Sequence, residues 1–256
     1  MISNTFGTLI FDPLYNVLVF LIATLPFADV GIAVILLTVL VKVFLLPLAY
    51  KAAKTQAIMR RINPLLQESQ KKHKNDKQKQ AQKAMEIYRA HDIHPLSGLL
   101  VLFIQLPIII GLYWVFLRGG LPVIDTTLLY SFVPHPGEVN MIFLGVVDMG
   151  GKSIVLAALA GISQFVYAYI AMPAPEQAGG GMKDDIARTM HFQMRYVLPV
   201  FIAVFAYTIS AAVALYWVTG NVFSIAQEMV FKKKIEKERE EKVCGEKERN
   251  AALRHT

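Results

Sequence analysis

The chain has 256 residues and a formal net charge of +7 at pH 7, and 55% of its residues are hydrophobic. Its mean hydropathy of +0.45 excludes an ordinary soluble domain and indicates a polytopic membrane protein. The single cysteine, Cys244, excludes an intramolecular disulfide and any Cys-rich metal centre.

Residues 1–28 are predicted to form an interfacial amphipathic helix. The stretch is apolar on balance, but Asp12, Pro13 and Asn16 interrupt it. About a dozen uninterrupted apolar residues remain, which is short for a transmembrane span of roughly 20 residues. Pro26 is expected to end the helix. The segment lacks the basic start and cleavage signal of a signal peptide.

The first predicted span, residues 29–50, contains the most informative residue of the chain. Every residue from Val30 to Leu46 is uncharged except Lys42. A cation at a helix centre costs roughly 2.5–3.5 kcal/mol on insertion scales, so Lys42 is a candidate functional residue. The alternative is that its stem reaches toward the nearer membrane surface.

Residues 51–94 are predicted to form a cytoplasmic helical hairpin. Two helix-favouring segments flank the polar break KKHKND. Its apolar seam is expected to consist of Ile58, Ile62, Leu65, Leu66, Met85, Ile87 and Tyr88. Its many cations are either a solvated face attracted to anionic lipid or a docking surface for the ribosome or targeting factors.

The next segments follow from hydropathy. They are a second span at 95–118, an extracytoplasmic loop at 119–152, a third span at 153–172 and a Gly-rich cytoplasmic linker at 173–191.

The last apolar region is predicted to hold two spans. Arg195 and Glu228 are separated by 32 uncharged residues, which as one helix would extend about 48 Å against a hydrocarbon core of about 30 Å. We therefore predict spans at 192–209 and 211–231, followed by a charged cytoplasmic tail at 232–256. The fold class is thus an all-α polytopic membrane protein with five transmembrane helices.

Lys and Arg placement predicts the orientation. The segment 51–89 carries eleven of them, the loop 119–149 carries none, and nine follow Phe231. The positive-inside rule then places the N-terminus outside and the C-terminus in the cytoplasm. The missing transit peptide favours a plasma (inner) membrane.

Several polar residues are predicted to share a groove with Lys42. Thr38 precedes Lys42 by four residues and lies on the same helical face. Pro47 leaves the carbonyl of Val43 without its usual helical donor. In the last span a polar stripe recurs at helical period, formed by Ser210, Trp217, Asn221, Ser224 and Glu228.

A hydrated cavity would satisfy these groups together with two more amides. Its predicted lining is Lys42, Thr38, Gln105, Gln164, Trp217 and Asn221. The alternative is that the amides are interhelical hydrogen bonds, worth about 1 kcal/mol each. Trp217 is equally compatible with an ordinary packing or interfacial aromatic.

The order of these segments resembles the YidC/Oxa/Alb family of membrane protein insertases. The resemblance runs from about Leu14 to Lys234. It is carried by VLVKVFLLPL, by Pro64 in INPLLQ, by HPLSGLLVLFIQLPIIIGLYWVF and by ALYWVTGNVFSIAQEMVFKKK. The chain resembles the short form, which lacks a large extracytoplasmic domain.

The resemblance assigns roles to particular residues. Lys42 occupies the position where the family usually has an arginine, and Gln105 with Pro107 matches its glutamine-x-proline. Tyr216, Trp217 and Asn221 match its aromatic pair and asparagine. Lysine lacks the planar fork of arginine. The family's proline and glycine turn between the last two spans is missing.

By this resemblance the chain is expected to be an insertase and membrane chaperone, without a cofactor and not an enzyme. Its expected partners are nascent membrane proteins and lipids, with a Sec-type translocon, the ribosome or targeting factors at the hairpin and tail.

Two alternative functions remain open. A small ion-coupled transporter or channel would use the buried lysine, and an intramembrane enzyme would need a second catalytic group, for which Glu228 is the sole carboxylate nearby.

Overall fold

The computed structural model describes residues 7–25, 29–73, 76–91, 97–118, 121–172 and 188–253. The chain is mostly helical, as predicted. Its elements are α1 (Gly7–Thr24), α2 (Val30–Lys72), α3 (Lys77–Ala90), α4 (Ser97–Arg118), β1 (Ile142–Phe143), β2 (Val147–Asp148), α5 (Ile154–Ala171), α6 (Arg188–Thr208) and α7 (Ala211–Leu253). Most of the predicted linker at 173–191 lies outside the described residues.

Four helices of the described part are long and apolar enough to cross a membrane: α1, α2, α5 and α6. Gln105–Phe116 of α4 is a shorter apolar segment. The sequence does not predict α1 among the four, because polar residues interrupt its apolar stretch. The count of five spans and the interfacial position of residues 1–28 stay predictions.

Two predicted boundaries fall inside continuous helices. The helix α2 passes through the expected end of the first span at residue 50, and it includes both Pro47 and Pro64. The helix α7 likewise continues beyond residue 231 into the charged tail. A change from apolar to charged composition therefore does not interrupt either helix.

The chain divides into two compact units. The first comprises Met1–Leu46 and Leu102–Ile225, and the second comprises Pro47–Val101 and Ala226–Thr256.

In the first unit α5 packs closely against α6. A Cβ added to Gly161 of α5 would lie 2.8 Å from the Cβ of Ala203 and 3.1 Å from the carbonyl oxygen of Pro199. Such small residues let apolar helices approach closely.

The helix break between α6 and α7 lies at Ile209–Ser210, within the stretch predicted from length. No proline or glycine stands there. The loop before α5 supplies the missing partners instead: the amides of Ala211 and Ala212 donate to the carbonyls of Gly151 at 2.8 Å and Met149 at 3.1 Å. These bonds satisfy N–H groups that a helix start leaves open.

The loop at 121–152 contains structure that an all-α assignment omits. Strands β1 and β2 pair antiparallel, with Ile142 opposite Asp148. At two residues each, the strands are too short for an alternating hydrophobic pattern to reveal them.

This loop is fixed to α1 through Asn16, a buried residue that is 2% exposed. Its amide donates to the carbonyl of Leu128 at 2.9 Å, and its carbonyl oxygen accepts from the amide of Tyr130 at 2.7 Å. Asp29 similarly accepts from the amide of Leu144 at 3.0 Å. Asn16, which interrupts the N-terminal apolar stretch, and Asp29, which directly precedes α2, thus hold the loop in place.

In the second unit the end of α2 packs against α3. Ile62 and Leu66 are buried and contact Ile87 and Tyr88, in line with the predicted seam. The seam prediction was wrong for Leu65 and Met85, which are exposed. Leu65 precedes Leu66 by one position, a rotation of about 100° that turns it away from the contact.

Candidate functional site

Lys42 of α2 is half-buried and hydrogen bonded to α7. Its Nζ lies 3.1 Å from the Oγ of Ser224, a buried residue. Within the described residues no carboxylate forms an ion pair with Lys42. The hydroxyl positions the ammonium group but does not neutralise it, so a positive charge stands in a largely apolar setting.

Thr38 lies beside Lys42, as the spacing on α2 predicted. A Cβ placed on Gly220 of α7 would lie 3.5 Å from the Cε of Lys42 and 3.9 Å from the Cγ2 of Thr38. Thr38 is fully buried, and its hydroxyl donates to the carbonyl of Val34 at 2.6 Å. Thr38 and Lys42 therefore share a helical face, as predicted, but the Thr38 hydroxyl already donates its proton to a carbonyl of its own helix.

Gln105 joins α4 to α7. Its Nε2 donates a hydrogen bond to the hydroxyl of Tyr216, which is buried. Pro107 is half-buried two residues further along α4. Gln105 of the predicted glutamine-x-proline thus stands where α4 meets α7.

Asn221 joins α7 to α5 through a residue that sequence reasoning missed. The Nδ2 of Asn221 donates to the Oγ of Ser163 at 3.1 Å, and that hydroxyl donates to the carbonyl of Ala160 at 3.1 Å. Ser163 directly precedes Gln164, so a polar pair within an apolar helix was the available signal. Asn221 is 7% exposed, which makes this a buried polar contact.

Three predicted residues stand apart from these bonds. Gln164 is half-buried on α5, and in the described part of the chain no hydrogen bond joins it to the other candidates. The ring of Trp217 packs edge-on against Phe205 of α6, with the centroids 6.2 Å apart. Pro47 is an exposed residue of α2 that belongs to the second unit.

The helix α7 is common to the three hydrogen bonds made by Lys42, Gln105 and Asn221. Going along it, Tyr216 meets α4, Asn221 meets α5, and Ser224 meets Lys42 of α2. Asn221 and Ser224 belong to the predicted helical stripe, whereas Tyr216 does not. The site thus contains one cation without a carboxylate partner, with amide and hydroxyl groups nearby. Such a set of groups is suited to binding, and these residues include no nucleophile–base pair.

Comparison with known proteins shows relatives that match this chain over most of its length. Residues 22–239 match the family described as 60Kd inner membrane protein. Membrane protein insertase YidC of Clostridium tetani is 32% identical over 212 residues, which cover 83% of this chain and 86% of that protein.

Two further relatives match over a similar extent. YidC of Fusobacterium nucleatum is 30% identical over 227 residues, which cover 88% of this chain and 98% of that protein. Membrane protein insertase MisCA of Bacillus subtilis is 30% identical over 217 residues, covering 82% of this chain and 73% of that protein. Since the family match includes the helices that carry Lys42, Gln105 and Asn221, this chain belongs to the 60Kd inner membrane protein family.

Proposed function

We propose that this chain is a membrane protein insertase and chaperone that receives nascent membrane proteins in a polar intramembrane groove. The observation that carries the proposal is Lys42, a half-buried cation held by the hydroxyl of Ser224 at 3.1 Å. Its charge is available to an incoming acidic segment. The relatives named membrane protein insertase support the same activity for this chain.

The groove is formed by Lys42, Thr38, Gln105, Gln164, Trp217 and Asn221, with Pro47, Pro107, Tyr216 and Ser224 as supporting residues. A short extracytoplasmic segment of the client enters it, and Lys42 attracts acidic residues of that segment. Coulombic attraction is stronger there than in bulk water because the local dielectric constant is lower. Polar side chains and water in the groove reduce the desolvation cost of the client's polar groups.

Release is driven by the client itself. Its apolar helix leaves the polar groove for lipid, and burial of that helix in the bilayer provides the free energy. The chain therefore acts by binding rather than by covalent catalysis, and it needs no cofactor.

The proposed membrane arrangement has five spans, at 29–50, 95–118, 153–172, 192–209 and 211–231. Residues 1–28 lie in the interface, with the N-terminus outside and the C-terminus in the cytoplasm. The distribution of Lys and Arg supports this orientation, since eleven fall in 51–89 and none in 119–149. The helical hairpin at 51–94 and the tail at 232–256 then face the cytosol, where they meet a Sec-type translocon, the ribosome or targeting factors.

The test is insertion into liposomes that contain the purified protein. A single-span client with an acidic N-terminal tail is added, and the protease-protected fraction is measured for wild type, Lys42→Leu and Lys42→Arg. We expect insertion by wild type and the arginine variant, and a large loss in the leucine variant. A second client with a neutral tail serves as the matched control, because its insertion should depend less on the charge at position 42.

Two other results of this experiment would favour the alternative roles of Lys42 and of the chain. Equal insertion by wild type and Lys42→Leu would retain the insertase but reduce Lys42 to a residue that reaches toward the membrane surface. Insertion no better than that of empty liposomes would overturn the proposal and favour a small ion-coupled transporter, to be tested by solute flux.

A further inference from the structure

The hairpin of β1 and β2 ends in a turn, Phe143–Val146, with an exposed apolar surface. Leu144 and Val146 are 69% and 82% exposed, and Ile142 of β1 is 41% exposed. No charged side chain occurs in residues 139–147. Exposed aliphatic side chains that cluster in this way indicate an interaction surface.

The backbone of the turn is one that leucine seldom adopts. The amide of Val146 donates to the carbonyl of Phe143 at 3.0 Å, and the two residues between them, Leu144 and Gly145, have φ of 51° and 73°. Asparagine, aspartate or glycine usually occupies the first of two such positions. Neither the turn geometry nor packing accounts for a leucine there, since its side chain is exposed.

Hydrogen bonds fix the hairpin to the first turn of α2. One carboxylate oxygen of Asp29 accepts from the amide of Leu144 at 3.0 Å, and the other accepts from the amide of Ile32 at 2.8 Å. The amide of Val30 donates to the carbonyl of Asn140 at 3.0 Å. The turn therefore lies level with the start of this helix.

Phe143 brings the hairpin and α2 into direct contact. A Cβ added to Gly31 would overlap the side chain of Phe143, so glycine lets this ring approach the helix backbone. Successive side chains of a strand point to opposite faces, so Ile142 points away from the face that Phe143 packs against α2. The exposed aliphatic side chains thus belong to a hairpin held in one place.

The start of α2 corresponds to the edge of the hydrocarbon core. Asp29 and Lys51 bound 21 residues in which Lys42 is the only charge, and α2 is long and apolar enough to cross a membrane. At 1.5 Å per residue these residues extend about 31 Å, close to a hydrocarbon core of about 30 Å. The interfacial layer adds about 5–8 Å on each side. Leu144, whose amide is bonded to Asp29, therefore lies within this layer.

We propose that this turn inserts into the interfacial layer of the bilayer, with Ile142, Leu144 and Val146 in contact with lipid. Moving exposed aliphatic surface from water into lipid is favourable, and no charged side chain of the turn opposes it. A lipid surface is favoured over a protein partner because the patch is small, whereas a stable protein interface requires about 20–30 residues on each side.

The proposed contact is separate from the groove around Lys42. It requires neither insertase activity nor one particular orientation of the chain, because the start of α2 would meet the membrane surface on either side. The depth of the turn is measured without a client protein, so its failure and a failure of insertion are distinguishable.

The experiment measures depth by electron paramagnetic resonance of the full-length protein in phosphatidylcholine vesicles. Cys244→Ser removes the native thiol, and a nitroxide is attached at Val146→Cys. The matched control is Glu138→Cys, at an exposed and charged position of the same loop. The ratio of collisions with oxygen, which concentrates in lipid, to collisions with a water-soluble nickel chelate should be severalfold higher at position 146 than at position 138.

A second variant separates the effect of the apolar side chains from that of the label. Leu144→Asn suits the positive φ of the turn, so the hairpin should fold. It removes apolar surface, and the collision ratio at position 146 should therefore fall toward that at position 138. Its thermal unfolding midpoint, compared with the parent protein, verifies that the protein is folded.

The proposal is supported if the ratio is high at position 146, low at position 138 and reduced by Leu144→Asn. A ratio at position 146 no higher than that at position 138 would overturn it, because the turn would then lie in water. An unchanged ratio in Leu144→Asn would also overturn it, since the leucine would not anchor the turn. So would spectral broadening at position 146 that disappears on dilution with unlabelled protein, which would identify a second copy of the chain as the occupant.

Discussion

Lys42 and Ser224 are joined by a hydrogen bond of 3.1 Å, although they are 182 positions apart in the sequence. The acceptor is an alcohol, which orients the ammonium group and leaves its full charge. A carboxylate at the same place would cancel that charge. The identity of residue 224 therefore bears directly on what Lys42 can attract.

We expect Ser224→Asp to reduce insertion of an acidic-tail client as strongly as Lys42→Leu does. The new carboxylate would lie within reach of the Lys42 ammonium and form a buried ion pair with it. Ser224→Ala should lower insertion by about threefold at most, because it removes one interhelical hydrogen bond of about 0.6 kcal/mol and leaves the charge. Both are measured as the protease-protected fraction in liposomes. Wild-type insertion by the aspartate variant would contradict an attraction by the free charge.

Asn16 provides a prediction about the loop that it holds. Asn16→Leu keeps the side-chain size but leaves the carbonyl of Leu128 and the amide of Tyr130 without their partner. Loss of one hydrogen bond costs about 0.5–1.5 kcal/mol net, so the Tyr130 amide should exchange its hydrogen about two- to tenfold faster. Hydrogen exchange with mass spectrometry of the peptide containing this residue measures the change.

Asn140→Leu is the matched control for that substitution. Asn140 is exposed and accepts from the amide of Ile142 within the same loop. Its effect should be confined to the neighbourhood of Ile142. Unchanged exchange at Tyr130 in Asn16→Leu would mean that the loop is held by other contacts.

The predictions from sequence were right where they depend on the geometry of a single helix. The face shared by Thr38 and Lys42 follows from a spacing of four residues, and the break at Ile209–Ser210 follows from helix length. Ser224 and Asn221 likewise follow from the periodicity of α7. Each of these inferences requires only the geometry of an α-helix.

Partners across the fold were not predictable in this way. Nothing local indicates that Asn221 bonds to Ser163, or that Asn16 holds a loop more than a hundred residues away. In the sequence Asn16 is only an interruption of an apolar stretch, whereas in the structure it is a buried residue with specific backbone partners. A polar residue in an apolar helix indicates a partner, but its identity depends on tertiary structure.

Glu238 of α7 provides a prediction about pH. Lys54 forms an ion pair with it at 2.6 Å, and the hydroxyl of Tyr50 donates to its other oxygen. The hydrogen bond from Lys54, followed by that from Tyr50, holds the pKa of the Glu238 carboxyl below its ordinary value. The stabilisation is therefore fully present above that ordinary value and is lost as the pH falls through the lowered pKa.

Lys54→Gln should raise the pKa of Glu238 toward its ordinary value. The measurement is the pH titration of the Glu238 carboxyl carbon by NMR in micelles, with Glu238→Gln to assign the resonance. Lys237→Gln removes the same charge next to Glu238 in sequence, from a side chain paired with Glu241 at 4.0 Å. It should leave the midpoint nearly unchanged. An identical midpoint in Lys54→Gln and wild type would show that the ion pair does not persist in solution.

Gly220 provides a graded test of how closely α7 approaches Lys42. An added Cβ would lie at ordinary contact distances, 3.5 Å from the Cε of Lys42 and 3.9 Å from the Cγ2 of Thr38. Gly220→Ala should therefore fit without displacing either residue, and it should stabilise the helix by up to about 1 kcal/mol through its higher helix propensity. Gly220→Leu places further carbons where the lysine stem lies, so it should move the ammonium away from Ser224 and lower insertion of an acidic-tail client severalfold. The comparison requires thermal unfolding and liposome insertion on the same preparations. A leucine variant that inserts as well as the alanine variant would show that the lysine functions without its place beside α7.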